Sequence, residues 1–259
     1  MKPLAELEPS DRNISVVTCN VQNFKPNFSK VMRELARAKP DVIALQEAQS
    51  QPPEMLTEYF KDWSFQHKDE FLVGSRWPVT IIESFDASPY ERPTVMKVRI
   101  DTPNGPVLLS NVHLMTARRG LSGMGVGSII SGEAPGEAEH HALLRFEEAR
   151  QTREFISASP RLPHMIVGDF NMPQTSNVLN ETFGDYTNAF EKSGFGFGYT
   201  APCRPVRFWL PNTPWLRIDH IYSTEHFEPM RCQVGQFNGS DHRLVSAVLQ
   251  LRPTNQPPP

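Results

Sequence analysis

Short apolar runs rich in β-branched residues recur along the chain: ISVVTCNV (14–21), DVIALQE (41–47), VTIIESF (79–85), TVMKVRI (94–100), VLLSNVHL (107–114), HMIVGDF (164–170), IDHIYS (218–223) and RLVSAVLQL (243–251). Each has the length of a strand and is bounded by polar or turn-forming residues, so the pattern predicts strands. Two stretches instead follow a helical period. Ser29 is placed to cap a helix over KVMRELARA, and 141–158 carries Leu144, Ala149 and Phe155 at helical spacings with Arg and Glu elsewhere. Pro103-Asn104-Gly105 separates two runs as a tight turn would, which suits antiparallel neighbours. The mixture predicts an α/β fold with a mixed sheet or two sheets and outer helices, not a strict βαβ alternation. Glycine-rich 116–140 has no clear period and reads as a long loop.

Polar residues gather where these apolar runs end. Asn20 closes the first, Gln46 and Glu47 the second, Asn111 and His113 the fifth, Asp169 and Asn171 the sixth. Asp219 is the second residue of the seventh, and Asp241 and His242 precede the last. Strand ends are where a rigid sheet holds side chains around a common crevice. The collection is carboxylates, imidazoles and amides, with no serine elbow and no thiolate cluster. Oxygen-rich donors suit a hard cation such as Mg²⁺ or Mn²⁺, and an imidazole beside an acid is oriented and kept cationic by it. This is a toolkit for phosphoryl-ester hydrolysis.

Bulk properties narrow the field. At 259 residues the chain can bury a large core, and one domain over 1–259 is expected, with its core at about 14–251 and a frayed, proline-rich tail at 252–259. The formal net charge of -3 provides no global basic field, so an anionic substrate must be met locally or through a metal. Cys19, Cys203 and Cys232 are widely spaced, without a CxxC, which suggests neither a disulfide framework nor a zinc site and fits a cytoplasmic protein. No signal peptide or membrane-spanning run is visible; export is not excluded by this, and stable membrane insertion is not expected.

The segments TCNVQNF, ALQEA, NVHL, VGDFNMP, RIDHIY and GSDHRLV occur in the order and approximate spacing of the endonuclease/exonuclease/phosphatase superfamily, which the chain resembles from about residue 15 to 250. The resemblance implies the DNase I-like four-layer sandwich: two packed mixed β-sheets flanked by helices, with the site in a cleft at one end of both. It also implies roles. Glu47 would be the principal metal carboxylate, helped by Asn20 and, from the other side, by Asp241. Asp169 would orient and deprotonate the attacking water, and Asn171 would hydrogen-bond that water or the phosphate. His242 would be held by Asp219 with its proton toward the phosphate, and His113 would be a second phosphate donor or an acid. Gln46 is expected to support the backbone beside Glu47. His220, one residue from Asp219 on an alternating strand, should point away from the cleft. His67, His140, His141, His164 and His226 lack spacing partners and are expected at the surface.

The superfamily acts on many phosphate esters, so the loops must decide the substrate. Arg118 and Arg119 follow His113, and Arg204, Arg207, Phe208, Trp209 and Trp215 precede Asp219. Cations interleaved with aromatics suit a nucleic-acid strand, and the reading is a divalent-metal-dependent nuclease with Arg118, Arg119, Arg204, Arg207 and Trp209 binding substrate. The mild acidity of the chain and the apolar 116–140 segment keep a phosphodiesterase or phosphatase for a lipid or small phosphate as an alternative. A non-catalytic binding protein on the same fold is a second one. No protein partner is indicated.

Overall fold

The computed structural model describes residues 10–24, 28–49, 56–117, 134–203 and 213–253, with side chains from residue 139 onward in the helix that begins at Ala134. In chain order the elements are β1 (Asn13–Asn20), α1 (Phe28–Arg37), β2 (Val42–Gln46), β3 (Ser64–Lys68), β4 (Phe71–Ser75), β5 (Val79–Ala87), β6 (Arg92–Thr102) and β7 (Gly105–His113). There follow α2 (Ala134–Ser157), β8 (His164–Asp169), α3 (Asn177–Phe183), β9 (Thr187–Asn188), α4 (Ala189–Ser193), β10 (Asp219–Ser223), β11 (Phe227–Val234) and β12 (Val245–Leu251). The strands form two six-stranded sheets, ordered β11-β12-β1-β2-β4-β3 and β5-β6-β7-β8-β10-β9. Each sheet is mixed: β1 and β2 run parallel in the first, β7 and β8 in the second, and the other pairings are antiparallel.

Strand alternation sorts side chains into layers. Val16, Ala44 and Val73 of the first sheet meet Val98, Leu109 and Val167 of the second in the central core. Their sequence neighbours Val17, Ile43 and Leu72 face outward onto Val31, Met32 and Leu35 of α1. On the opposite side Val112, Ile166 and Tyr222 face Ala149 and Ile156 of α2 and Leu179 and Phe183 of α3. The order helix, sheet, sheet, helix is the expected four-layer sandwich. Because β1, β2, β7 and β8 are covered on both faces, they read as unbroken apolar runs.

Four details differ from the sequence reading. Helix α1 begins at Phe28, so Ser29 lies inside its first turn and not at the cap position. Helix α2 is already formed at Ala134, within the stretch expected to be loop. Strands β3, β4, β9 and β11 were not marked by the apolar pattern: β3 (SFQHK) and β11 (FEPMRCQV) are edge strands with polar composition, and β9 spans two residues. His164 is not at the surface. It is buried on β8, its Nε2 2.9 Å from Ser110 Oγ, and burial with nearby Lys97 and Arg153 pushes its pKa down to about 3.

One glycine is dictated by geometry. Gly168 has φ 145°, and a Cβ there would lie 1.9 Å from the carbonyl oxygen of Val112 on the neighbouring strand. The approach brings β8 tightly beside β7 immediately before Asp169.

Candidate active site

Register explains why distant residues converge. In the second sheet Asp169 at the end of β8 pairs with His113 of parallel β7 and with Asp219 of antiparallel β10, so the three side chains project from one face, side by side. In the first sheet Asn20 pairs with Gln46, and Glu47 follows at φ 51°, a left-handed conformation that turns the chain sharply at the strand tip. The turn carrying Asp241 and His242 is stitched to β1: Ser240 Oγ donates to the Asn20 carbonyl (2.7 Å), and Asn238 Nδ2 donates to Cys19 Sγ (3.4 Å).

Asp169 is the hub. Its Oδ2 accepts from Asn20 Nδ2 at 3.1 Å and lies 3.7 Å from both His113 Nε2 and His242 Nε2. Its Oδ1 accepts from Asn171 N at 2.9 Å. Burial, with the nearby Asp219 charge, raises the Asp169 carboxyl above its ordinary range, although the two imidazoles and Asn20 partly offset this. Burial pulls His242 toward neutrality, but Asp219, Asp169 and Asp241 overcome it and push its pKa up to about 10. The Asp219 carboxylate reaches His242 Nδ1 with both oxygens, at 2.9 and 3.1 Å, which fixes the ring and turns Nε2 toward Asp169.

The second imidazole has a partner that the motifs did not disclose. His113 Nδ1 lies 3.1 Å from Glu70 Oε1, in the turn between β3 and β4. Burial again opposes the charged ring, and Glu70 and Asp169 raise its pKa. Arg92 donates to Glu70 Oε1 (3.0 Å) and to the His113 carbonyl (2.9 Å). Nothing in the pattern around Glu70 distinguishes it from an ordinary hairpin acid; only the pairing of β4 with β2 brings it here, where its carbonyl accepts from Ala48 N at 3.0 Å.

Asn20 connects the two sheets across the cleft. Its Nδ2 donates to Glu47 Oε1 at 2.9 Å as well as to Asp169, while its Oδ1 accepts from Gln22 N at 3.1 Å. It therefore bridges the two carboxylates through its amide hydrogens. Gln46 braces the floor: its Nε2 donates to Thr18 Oγ1, the Ala44 carbonyl and Asn111 Oδ1, the last of these across the sheet interface. His220 points away from the cleft, with Nε2 2.9 Å from the Met172 carbonyl. Asn171 commits Nδ2 to the Leu114 carbonyl at 2.8 Å, and Asp241 sits on the turn beside His242. Arg118, Arg119, Arg204, Arg207 and Trp209 lie outside the described residues.

Among the described residues, Asp169, Asp219 and His242 form a potential metal-binding group, with ligand atoms within 4.8 Å of one another. That group differs from the expected set of Glu47, Asn20 and Asp241. Asp219 and His242 are hydrogen-bonded to each other, and Glu47 Oε1 accepts from Asn20 Nδ2 at 2.9 Å. The oxygen-rich donors fit a hard divalent ion. No described helix is long and apolar enough to cross a membrane.

Known structures share this architecture. An endonuclease/exonuclease/phosphatase from Beutenbergia cavernae superposes with TM-score 0.65 at 18% identity, covering 93% of this chain and 72% of that one. A truncated TDP2 of Caenorhabditis elegans gives 0.66 at 14% identity, covering 92% and 98%. A mannosyl-6-phosphatase of Bacteroides thetaiotaomicron gives 0.61 at 17% identity, covering 91% and 99%. A search of curated protein sequences finds no match. At these identities the superpositions establish the fold; the family model, by contrast, matches the sequence itself from residue 17 to 242, across every motif of the cleft, and the chain belongs to the Endonuclease/Exonuclease/phosphatase family.

Proposed function

We propose that the chain is a divalent-metal-dependent phosphodiesterase, using Mg²⁺ or Mn²⁺, that cleaves nucleic-acid strands by in-line attack of water. The observation that carries the reading is the arrangement about Asp169 Oδ2, with Asn20 at 3.1 Å and two imidazoles each at 3.7 Å. Glu47, with Asp241 opposite, would hold the cation, which when bound supplies charge neutralisation at the phosphate and the leaving oxygen. Asp169, raised toward neutrality by burial, suits a general base that takes the proton of the attacking water. His242, held cationic by its carboxylates, and His113, whose pKa Glu70 and Asp169 raise, present N–H donors to the phosphate oxygens as charge builds there.

The substrate class rests on the segment before β10. It carries the exposed rings of Phe195 (89% exposed), Phe197 (77%), Tyr199 and Trp215 (57%). The rings of Phe197 and Tyr199 stack at 5.2 Å and 7° from parallel. Thr200, next to Tyr199, is joined to the residues of the cleft: its Oγ1 accepts from Asp219 N (3.4 Å), and its carbonyl accepts from Arg243 N (2.9 Å), one residue past His242. Exposed aromatic faces on a segment so joined suit unpaired bases, whose stacking adds roughly 1–3 kcal/mol per base. A small phosphate ester is the second reading, favoured by the net charge of -3 and by likeness to a mannosyl-6-phosphatase.

A substrate panel run with Mg²⁺ or Mn²⁺ against a Glu47→Gln control separates these. Cleavage of single-stranded oligonucleotides supports the proposal. Untouched DNA and RNA, together with hydrolysis of a phospholipid or sugar phosphate, would overturn it.

A further inference from the structure

Helix α2 turns two charged residues inward, toward the loops that leave the catalytic strands. Arg145 Nε donates to the Met115 carbonyl at 3.1 Å and Arg145 Nη2 to the Asn171 carbonyl at 2.8 Å. Glu148, fully buried nearly one turn further along, accepts from Met115 N at 2.8 Å. Met115, two residues beyond His113, thus has both backbone groups taken by the helix. Asn171, two residues beyond Asp169, has its carbonyl taken by the same guanidinium.

The two loops are also laced to each other. Leu114 N donates to the Asp169 carbonyl at 3.0 Å, and Asn171 Nδ2 donates to the Leu114 carbonyl at 2.8 Å. Asn171 sits at φ 52°, in the left-handed region that asparagine adopts more readily than other non-glycine residues. On the other side Arg92 holds the His113 carbonyl and lies 3.9 Å from Glu148. The geometry points to Arg145 as a positioning residue: its planar fork spans the carbonyls of Met115 and Asn171 and so holds the loops that follow His113 and Asp169 in one arrangement beside the cleft. A lysine reaches one carbonyl as a point charge and cannot bracket both in a fixed plane.

The activity readout rests on the phosphoesterase reading; the structural readout does not. Arg145→Lys, Arg145→Met and Arg145→Ala are assayed with bis(p-nitrophenyl) phosphate and Mn²⁺, and the backbone amides of Met115 and Asn171 are followed by ¹⁵N NMR beside those of β11. Misplacement of catalytic groups by an ångström costs about 100-fold, so kcat should fall by roughly that factor in Arg145→Met, with KM within about threefold of wild type. Arg145→Lys should recover part of the loss, and methylguanidinium should restore turnover to Arg145→Ala. The Met115 and Asn171 amides should shift while β11 amides stay in place. Wild-type kcat in Arg145→Met, or unmoved Met115 and Asn171 amides, would overturn the inference. If wild type cleaves no phosphate ester but those amides move, positioning stands and the activity reading fails.

Discussion

Replacing Asp219 with Asn isolates the electrostatic heart of the cleft, because it deletes a charge 2.9 Å from His242 Nδ1 and keeps a side chain of similar size. Burial alone would leave the His242 ring neutral; Asp219, followed by Asp169 and Asp241, pushes its pKa up to about 10. Against an ordinary value of about 6.5 this is worth on the order of 5 kcal/mol. One full charge at about 3 Å in an effective dielectric of about 20 contributes on that same order, and Asp219 is the largest contributor, ahead of Asp169 and Asp241. Without that charge the burial penalty is less opposed, and His242 should titrate well below its wild-type value of about 10. Imidazole NMR through a pH series reads the value directly, and turnover should drop by about 100- to 10,000-fold, as for other orphaned His-Asp pairs. Stability provides an independent check. A folded-state pKa above the unfolded one contributes stability that is complete below about 6.5 and is lost as pH rises toward about 10. The wild type should therefore weaken across that window, and Asp219→Asn should show a flatter profile. A variant whose His242 stays cationic above pH 9, or whose turnover lies within threefold of wild type, would show that Asp219 does not set the charge of His242.

Other consequences follow from single contacts. Glu70→Gln removes the carboxylate 3.1 Å from His113 Nδ1, so the His113 pKa should fall and the alkaline limb of the pH–rate profile should move to lower pH. His164 and His220, pushed by burial down to about 3 and about 4, are neutral in the folded state. Their contribution is complete above about 6.5 and is lost as pH falls; at pH 5.5 each costs about 1.4 kcal/mol, opposed by the gain from His242, so in chemical denaturation wild type should fall by about 1.4 kcal/mol relative to His164→Gln between pH 7.5 and 5.5. Gly168→Ala sets a methyl group against the Val112 carbonyl at φ 145° and should yield insoluble or unfolded protein, whereas a soluble variant of wild-type Tm would contradict the close approach of β7 and β8.

The sequence discloses the cleft better than its supports. Asn20, Glu47, His113 and Asp169 were legible because each sits at or just past the end of an apolar run, and Asp219 and His242 because each stands at or just before the start of one. The strands of the buried sheet centres were legible for the same reason. Glu70 and Arg92 were not, since they reach the cleft only through the pairing of β4 with β2 and of β6 with β7, which the local pattern does not encode. Arg145 and Glu148 passed for the polar side of a helix. Glu148, Thr152 and Ile156, however, share one buried face, and a charged residue aligned with Ile156 at helical spacing was a readable sign of an inward contact. The edge strands β3 and β11 escaped because an edge carries polar side chains by design against aggregation.

If the cleft directs a water molecule onto phosphorus with the help of a divalent ion, solvent oxygen must end on the phosphate. Hydrolysis of bis(p-nitrophenyl) phosphate in H₂¹⁸O, with the products read by mass spectrometry, follows that oxygen. One ¹⁸O should appear in the phosphate product and none in p-nitrophenol, and no reaction should remain once EDTA is added or Asp169 is replaced by Asn. Label in the phenol, or undiminished turnover in EDTA, would show that water is not so directed.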